Sequence, residues 1–225
     1  METLVISDTH LYEFEQKKFD FLMKLFSDYE KIIINGDFWD GWYWNWDDFI
    51  QSKWKGLFTV LQSRDVTYVL GNHDLMENKS AVGLFCTRQV SSYMIRIGGT
   101  MYHFEHGHRL SEKVIKSRLF KRYAAFVEAQ HRSLLLPMHK FERLVGKLCP
   151  EILFNSKAGS KRNGLVKEYF KSNPVKGVDM YVIGDTHSQE LDIKNHFANS
   201  GPTAYGYAFY MTISDKGIAL KQVRY

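Results

Sequence analysis

Hydrophobic residues along the chain follow two different spacings. Five short runs, at residues 3–6, 31–34, 67–70, 101–104 and 180–183, are apolar, continuous and rich in β-forming residues. This pattern is typical of buried strands. Between the first three runs, apolar residues recur every three or four positions over 13–28 and 47–64, which predicts two amphipathic helices. The opening of the chain is therefore predicted to be β-α-β-α-β, with a parallel sheet and crossover helices.

The later pattern predicts antiparallel pairing. Residues 93–97 and 100–104 alternate around Gly98-Gly99, a linker of the kind that closes a hairpin. Segments 191–197, 206–213 and 218–224 also alternate, which predicts a meander with its last turn at Asp215-Lys216-Gly217. We expect these strands to form a second sheet that packs against the first.

The strand pattern disappears between residues 109 and 176. Helical spacing of apolar residues returns there, in Val114, Ile115, Leu119, Tyr123 and Val127, and again in Phe141, Leu144, Val145 and Leu148. The segment holds 16 Lys or Arg and 5 Asp or Glu, a net charge of +11, whereas the rest holds 14 and 20, a net charge of −6. It is predicted to be an inserted, basic helical cap that lies over or beside the strand ends. Its apolar corner at Leu134–Pro137 would suit an anionic membrane surface, or would pack inward in a helical hairpin with solvated charges.

A polar cluster follows each of the five strands. The clusters are Asp8-Thr9-His10, Gly36-Asp37-Phe38-Trp39-Asp40, Gly71-Asn72-His73-Asp74, His106-Gly107-His108 and Gly184-Asp185-Thr186-His187. One such cluster alone is more often a turn or a helix N-cap. Five clusters at the same end of the strands point to a binding site, because open α/β sheets gather their ligands at that edge.

The residue types in these clusters indicate a metal centre. The candidate ligands are Asp8, His10, Asp37, Asn72, His106, Asp185 and His187. Carboxylate, imidazole and amide groups without thiolate suit a hard or borderline divalent ion, with Mn²⁺ as the first choice and Zn²⁺ or Fe²⁺ as alternatives. Seven ligands exceed what one ion needs, so we expect two ions that share a bridging carboxylate, an arrangement that favours phosphoester hydrolysis.

In order and spacing, these five blocks resemble those of the calcineurin-like metallophosphoesterases, whose last block is usually G-H-x-H. The resemblance implies an α/β fold, with a two-sheet β-sandwich flanked by helices. It also implies that Asp8, His10 and His187 hold the first metal, that Asp37 bridges, and that Asn72 and His106 hold the second. His73 would approach the scissile phosphate as a proton donor or charge stabiliser. Asp40 and Asp74 are candidate catalytic residues beside it, Asp40 through its support of the metal ligands.

One position departs from the family pattern. Asp185 stands where the family usually has the first His of the last block. An Asp can bind a divalent ion, but it is shorter and adds negative charge, which would change the metal preference and the pKa of a bound water. A scaffold that keeps the fold with little activity is the alternative that this departure raises.

A second resemblance concerns the substrate. The segment from Asn155 to Lys161, the basic helix after Leu136-Pro137, and the block from Gly36 to Trp42 are similar to parts of the UDP-2,3-diacylglucosamine pyrophosphatases of lipid A synthesis. This implies that Ser156, Lys157, Ser160 and Lys161, with Asn72 and His73, contact a nucleotide-sugar lipid. Those enzymes commonly have Arg at the position of His73 and Asp at that of His108. Hydrolysis of another phosphoester is therefore an alternative, as is a nuclease whose basic segment follows a phosphate backbone.

Aromatic residues crowd the loop after the second strand, at Trp39, Trp42, Tyr43, Trp44 and Trp46. They would either pack beneath the loop or stack a base, hold an acyl chain or roof the metal site.

The remaining features bound the class of protein. A chain of 225 residues with 44% hydrophobic and 24% charged residues fits one globular domain. The widely separated Cys86 and Cys149 suggest reduced packing residues in a cytoplasmic protein. We expect no signal peptide and no membrane span, so any membrane contact would be peripheral, at the inner face.

Overall fold

The computed structural model describes residues 2–74, 76, 79–110 and 157–225. All five apolar runs are strands. In chain order the elements are β1 (Thr3–Ile6), α1 (Gln16–Ser27), β2 (Lys31–Asn35), α2 (Trp46–Gln51), α3 (Gly56–Gln62), β3 (Asp65–Val69), β4 (Arg88–Val90), β5 (Tyr93–Ile97), β6 (Thr100–Phe104), α4 (Lys157–Ser172), β7 (Met180–Ile183), β8 (Glu190–Asp192), β9 (Phe197–Asn199), β10 (Thr203–Ala204), β11 (Tyr207–Ser214) and β12 (Gly217–Arg224).

The first sheet carries three of the five polar clusters. Its strand order is β10-β11-β1-β2-β3-β4, with β12 paired to β11. Strands β1, β2 and β3 are parallel, and Ile6 lies beside Ile34 in the register. Their carboxyl ends therefore meet at one edge, as the sequence pattern predicts.

The second sheet brings the other two clusters to the same region. Its order is β5-β6-β7-β9-β8, in which β5 and β6 form the predicted hairpin and β6, β7 and β9 are parallel. Val5, Ile33 and Val69 from the first sheet pack against Phe104 and Val182 from the second. This shared core confirms a two-sheet sandwich flanked by helices.

Two of the predicted elements are wrong in detail. The helix predicted over 47–64 is broken at Ser52, whose extended backbone separates α2 from a short 3-10 turn and α3. The predicted late meander is divided between the sheets. Residues 190–199 form β8, a 3-10 turn and β9 in the second sheet, whereas β11 and β12 form a hairpin in the first. Alternation of apolar residues predicts a strand but does not determine which sheet that strand joins.

The cap prediction falls largely on residues 111–156, which lie outside the described residues. The last part of the predicted 109–176 insertion is α4, and its buried residues Val166 and Phe170 pack on Tyr181 and Ile183 of β7. Helix α4 is thus the described part of the connection between the parallel strands β6 and β7, and it packs on the second sheet. Within the described ranges, none of the helices has the length and apolar character needed to cross a membrane.

Candidate metal centre

Several polar residues in the loops that follow the strands adopt an unusual backbone conformation. Asp8, His10, Asp37, Asp185 and His187 all have positive φ angles, between 41° and 56°. This left-handed conformation is uncommon for residues other than glycine, and such strained residues cluster at functional sites. Four of these five residues, Asp185 excepted, belong to groups of side chains that could hold a metal ion.

One group of possible ligands lies in the loops that follow β1 and β7. The Nε2 atom of His187 lies 3.1 Å from Oδ1 of Asp8 and 3.4 Å from Nε2 of His10. Asp8 is fully buried, and the donor atoms of all three residues lie within 4.8 Å of one another. Two imidazoles and one carboxylate at this spacing could hold one divalent ion.

A second group lies beside the first. Its members are Asp8, Asp37 and His106, again with donor atoms within 4.8 Å. The Oδ2 atom of Asp37 is 3.1 Å from Nε2 of His106 and 3.7 Å from Nε2 of His10, so this carboxylate stands between the two groups. The Asn72 Oδ1 atom is buried and accepts no hydrogen bond within the described part of the chain. A buried oxygen of this kind fits a metal ion, because burial of an unsatisfied polar atom is otherwise costly.

Neighbouring groups orient the imidazoles. The Nδ1 atom of His106 lies 2.9 Å from the carbonyl oxygen of Asn35, which assigns the proton to Nδ1 and turns Nε2 toward Asp37. The buried carboxylate of Asp40 lies 3.5 Å from Nδ1 of His10 and 3.0 Å from Nδ1 of His73. Asp40 therefore positions two imidazoles at once.

Asp74 holds the backbone of two of these loops together. Its carboxylate accepts hydrogen bonds from the backbone N–H groups of Asp37 (2.7 Å), Phe38 (3.0 Å), Trp39 (3.4 Å) and Gly71 (2.8 Å). We interpret Asp74 as a positioning residue that ties the loop after β2 to the loop after β3.

Two glycines allow the loops to approach this closely. A Cβ atom on Gly36, whose φ is +89°, would lie 2.2 Å from Nδ1 of His106. A Cβ atom on Gly71 would lie 2.1 Å from Oδ1 of Asp37. Only glycine fits at either position.

Opposite charges dominate the electrostatics of the centre. Burial acts to lower the pKa of His73, but the carboxylates of Asp37 and Asp40 outweigh it and raise this pKa to about 9. Burial likewise opposes the protonated form of His106, yet Asp37 and Asp8 raise its pKa well above the usual range. The carboxylates thus create a site that attracts cations, and metal binding would displace the protons.

Asp185 is the predicted ligand that the structure does not bring into these groups. Its carboxylate accepts a hydrogen bond from Nη2 of Arg162 on α4, and its backbone N–H donates to Asp8 Oδ1 at 3.2 Å. Among the described residues, the groups that could hold a metal contain Asp8, His10, Asp37, His73, His106 and His187.

The aromatic loop divides into core and surface residues. Trp39 and Trp46 are buried in the core around α2 and α3. Trp42 is half-buried and stacks on the His73 imidazole, with ring centroids 3.9 Å apart. Tyr43 packs on Tyr12, 4.8 Å between centroids. The packing expectation is therefore confirmed for Trp39 and Trp46, whereas a role of the other aromatic residues in stacking a base, holding an acyl chain or roofing the site stays a prediction.

The predicted substrate contacts lie at the start of α4. Lys157, Ser160 and Lys161 are exposed, and the Ser160 hydroxyl lies 3.4 Å from that of Ser188, next to His187. Ser156 lies outside the described residues.

Sequence reasoning missed three residues beside the centre: Trp42 as a partner of His73, Arg162 and Asn163. Asn163 carried a usable signal. It lies on the same helical face as Gly159, Val166 and Phe170, all buried, and a polar residue in an apolar stripe predicts a buried hydrogen-bond network. Nothing in the basic helix distinguished Arg162 from its lysine neighbours.

Comparisons with known proteins concern the family and the fold of the chain. A sequence model described as calcineurin-like phosphoesterase matches residues 1–189. No curated protein matches the chain. A solved structure described as a novel archaeal phosphodiesterase is 14% identical over 100% of both chains, with a TM-score of 0.50, and this similarity supports the fold alone. Vps29 from Entamoeba histolytica, complexed with Zn²⁺, is 16% identical over 100% of this chain and 99% of its own, with a TM-score of 0.45.

Proposed function

The chain belongs to the calcineurin-like phosphoesterase family. From that premise we propose that it hydrolyses a phosphoester or pyrophosphate bond with the help of two divalent ions, and that Mn²⁺ is the preferred ion. Metal-dependent hydrolysis of phosphoester bonds is the activity of the family. The observation that carries the proposal is the pair of ligand groups that meet at Asp8 and Asp37.

The residues fit two ions. We assign Asp8, His10 and His187 to the first and Asn72 and His106 to the second, with Asp37 between them. The buried Asn72 oxygen accepts no hydrogen bond within the described residues. Nε2 of His106 lies 3.1 Å from Oδ2 of Asp37, as expected of two ligand atoms that share an ion. When bound, divalent ions would polarise the phosphoryl oxygens and lower the pKa of a water molecule.

His73 is the residue we propose to assist the leaving group. Asp40 Oδ1 lies 3.0 Å from Nδ1 of His73, accepts a hydrogen bond from it and favours the protonated ring. Nε2 is then the atom that would donate a proton to the departing oxygen. Trp42 stacks on the same ring and limits its rotation. The backbone N–H of His73 donates to Oδ1 of Asp37 at 2.9 Å, so donor and metal site are held together.

For the substrate, we propose a nucleotide-sugar lipid pyrophosphate of the UDP-2,3-diacylglucosamine type. Its support is the resemblance of the segment from Asn155 to Lys161, together with the start of α4 beside the fifth cluster. Lys157, Ser160 and Lys161 would contact its sugar or phosphates. Action in the cytoplasm, at the inner face of the membrane, follows from that substrate. Another small phosphodiester is the alternative.

The test is hydrolysis by metal-stripped protein of bis-p-nitrophenyl phosphate, p-nitrophenyl phosphate and UDP-2,3-diacylglucosamine, with Mn²⁺, Zn²⁺, Mg²⁺ or no metal added. We expect turnover only with metal, fastest with Mn²⁺. Asp37→Ala should abolish it, whereas Asp47→Ala, which removes an exposed carboxylate on α2, should not.

Each outcome decides a separate part of the proposal. Turnover of the generic diester without turnover of the lipid would support the phosphoesterase and reject the proposed substrate. No turnover of any compound by folded, metal-loaded protein would reject the proposed activity in favour of a scaffold.

A further inference from the structure

The contact between Arg162 and Asp185 joins the crossover helix to the metal centre. The guanidinium donates to the carboxylate from Nη2. The Arg162 side chain is 30% exposed and that of Asp185 only 9%, so this ion pair is partly withdrawn from water. Partly buried pairs with a charge-assisted hydrogen bond are stronger than exposed surface pairs.

The position of Arg162 is fixed by its neighbour. Asn163 is fully buried; its amide donates to the Ser188 carbonyl at 2.9 Å and to Glu190 at 2.8 Å. Its carbonyl oxygen accepts a hydrogen bond from Thr186 at 2.6 Å. Thr186 lies between Asp185 and His187, so the helix turn that carries Arg162 is attached directly to the fifth cluster.

Lys167 adds a second attachment on the same helix. Its ammonium lies 2.6 Å from Glu190 and 2.8 Å from Asp192. Together with the packing of Val166 and Phe170 on β7, these contacts hold α4 in one register against the loop. The guanidinium therefore reaches the edge of the centre on a rigid element.

The negative charge of Asp185 explains why a cationic side chain lies beside the metal centre. A carboxylate at position 185, where the family pattern has an imidazole, adds negative charge next to Asp8, which accepts a hydrogen bond from the Asp185 backbone. Uncompensated, this charge would oppose the binding of an anionic phosphoester. Arg162 supplies the opposite charge, and a guanidinium has five N–H donors in a fork that suits carboxylate and phosphate oxygens alike.

We propose that Asp185 is the anchor of Arg162 rather than a metal ligand, and that Arg162 is an anion-binding residue that contacts a phosphoryl oxygen of the substrate. This inference rests on the proposed function, because it places the phosphoryl group at the metal centre. It adds a specificity residue that comes from α4 rather than from the five clusters.

The experiment measures metal content and phosphate binding separately. Wild-type protein and the variants Arg162→Met, Arg162→Lys and Asp185→Ala are saturated with Mn²⁺, and bound metal is counted by mass spectrometry. The dissociation constant of inorganic phosphate is then measured by calorimetry. Lys171→Met, which removes an exposed charge at the far end of α4, is the matched control.

We expect every variant to bind as much Mn²⁺ as the wild type. Arg162→Met should weaken phosphate binding by about tenfold to a hundredfold, the loss of a charge-assisted hydrogen bond. Arg162→Lys should recover part of it, Asp185→Ala should lose less than Arg162→Met, and Lys171→Met should lose none. Circular dichroism and thermal unfolding verify that each variant is folded.

Two results would overturn the inference. Loss of bound Mn²⁺ in Asp185→Ala, which removes both oxygens, would show that Asp185 is a ligand. Equal phosphate affinity in the wild type and Arg162→Met would show that Arg162 only stabilises the fold. Neither result depends on turnover, so a failure of hydrolysis in the wild type would reject the proposed function alone.

Discussion

Strained backbone and shared carboxylates define the centre at the scale of single residues. The left-handed conformation of Asp8, Asp37 and His187 costs of order 1 kcal/mol or more at each residue. The motif spacing predicted which side chains meet, because the ends of parallel strands meet at one edge. It could not predict that Asp185 turns to Arg162, since that contact depends on how a distant helix docks.

Asp40→Asn tests the role of the carboxylate that holds His10 and His73. Loss of its charge should weaken Mn²⁺ binding and lower kcat, each by about 10- to 100-fold, as is usual for residues that orient a metal ligand. Because Asp40 helps to raise the pKa of His73, the loss should also move the alkaline limb of the pH profile to lower pH. Calorimetric Mn²⁺ titration and kcat between pH 6 and 10 check both effects.

The control for this prediction is Asp47→Asn, which changes an exposed carboxylate at the start of α2. A pH profile that is the same in Asp40→Asn and in the wild type would contradict the role assigned to Asp40.

Elements were predictable where one physical signal dominated. Strands buried on both faces leave continuous apolar runs, so β1, β2, β3, β6 and β7 were found from the sequence. Tertiary contacts decided the rest. Gly56, the first residue of α3, lies against the ring of Phe19, and a Cβ atom on Gly56 would lie 2.7 Å from that ring. Helical periodicity in the sequence does not reveal this contact.

Gly164→Ala should stabilise the protein through α4. A Cβ atom there would meet no other group within 4 Å in the described structure, and alanine is favoured over glycine inside a helix by about 0.5–1 kcal/mol. Urea unfolding should show that gain in the free energy of unfolding. Gly56→Ala is the comparison and should show no gain, because its Cβ would press on Phe19. A lower free energy of unfolding in Gly164→Ala would contradict the open space beside Gly164 on α4.

His103 makes the second sheet sensitive to acid. It is buried against Phe170 of α4 and Tyr181 of β7, and burial lowers its pKa. As pH falls through about 6.5, the usual pKa of histidine, His103 becomes protonated in the unfolded chain but stays neutral in the folded chain. The free energy of unfolding therefore decreases. His103→Phe removes this loss.

The check on His103 is urea unfolding of both proteins at pH 7.5 and 5.5. The stability of His103→Phe relative to the wild type should increase toward pH 5.5, and the other histidines cancel in this difference. A difference that does not change with pH would contradict a buried, neutral His103.

At the scale of the whole molecule, two sheets converge on one polar edge. The first sheet contributes Asp8, His10, Asp37 and Asn72, the second contributes His106 and His187, and their shared apolar core fixes the distance between the two sets. The centre therefore requires the complete sandwich. The sequence predicted this architecture through its motifs, whereas the roles of 111–156 in substrate choice stay a prediction.

The most direct test of the central claim is anomalous diffraction from Mn²⁺-soaked crystals at the manganese edge. We predict two peaks, about 3.5–4 Å apart, one beside Asp8, His10 and His187 and the other beside Asn72 and His106, with Asp37 between them. A single peak would contradict the two-ion centre, and no peak at these residues would contradict the metal-dependent hydrolysis that we assign to them.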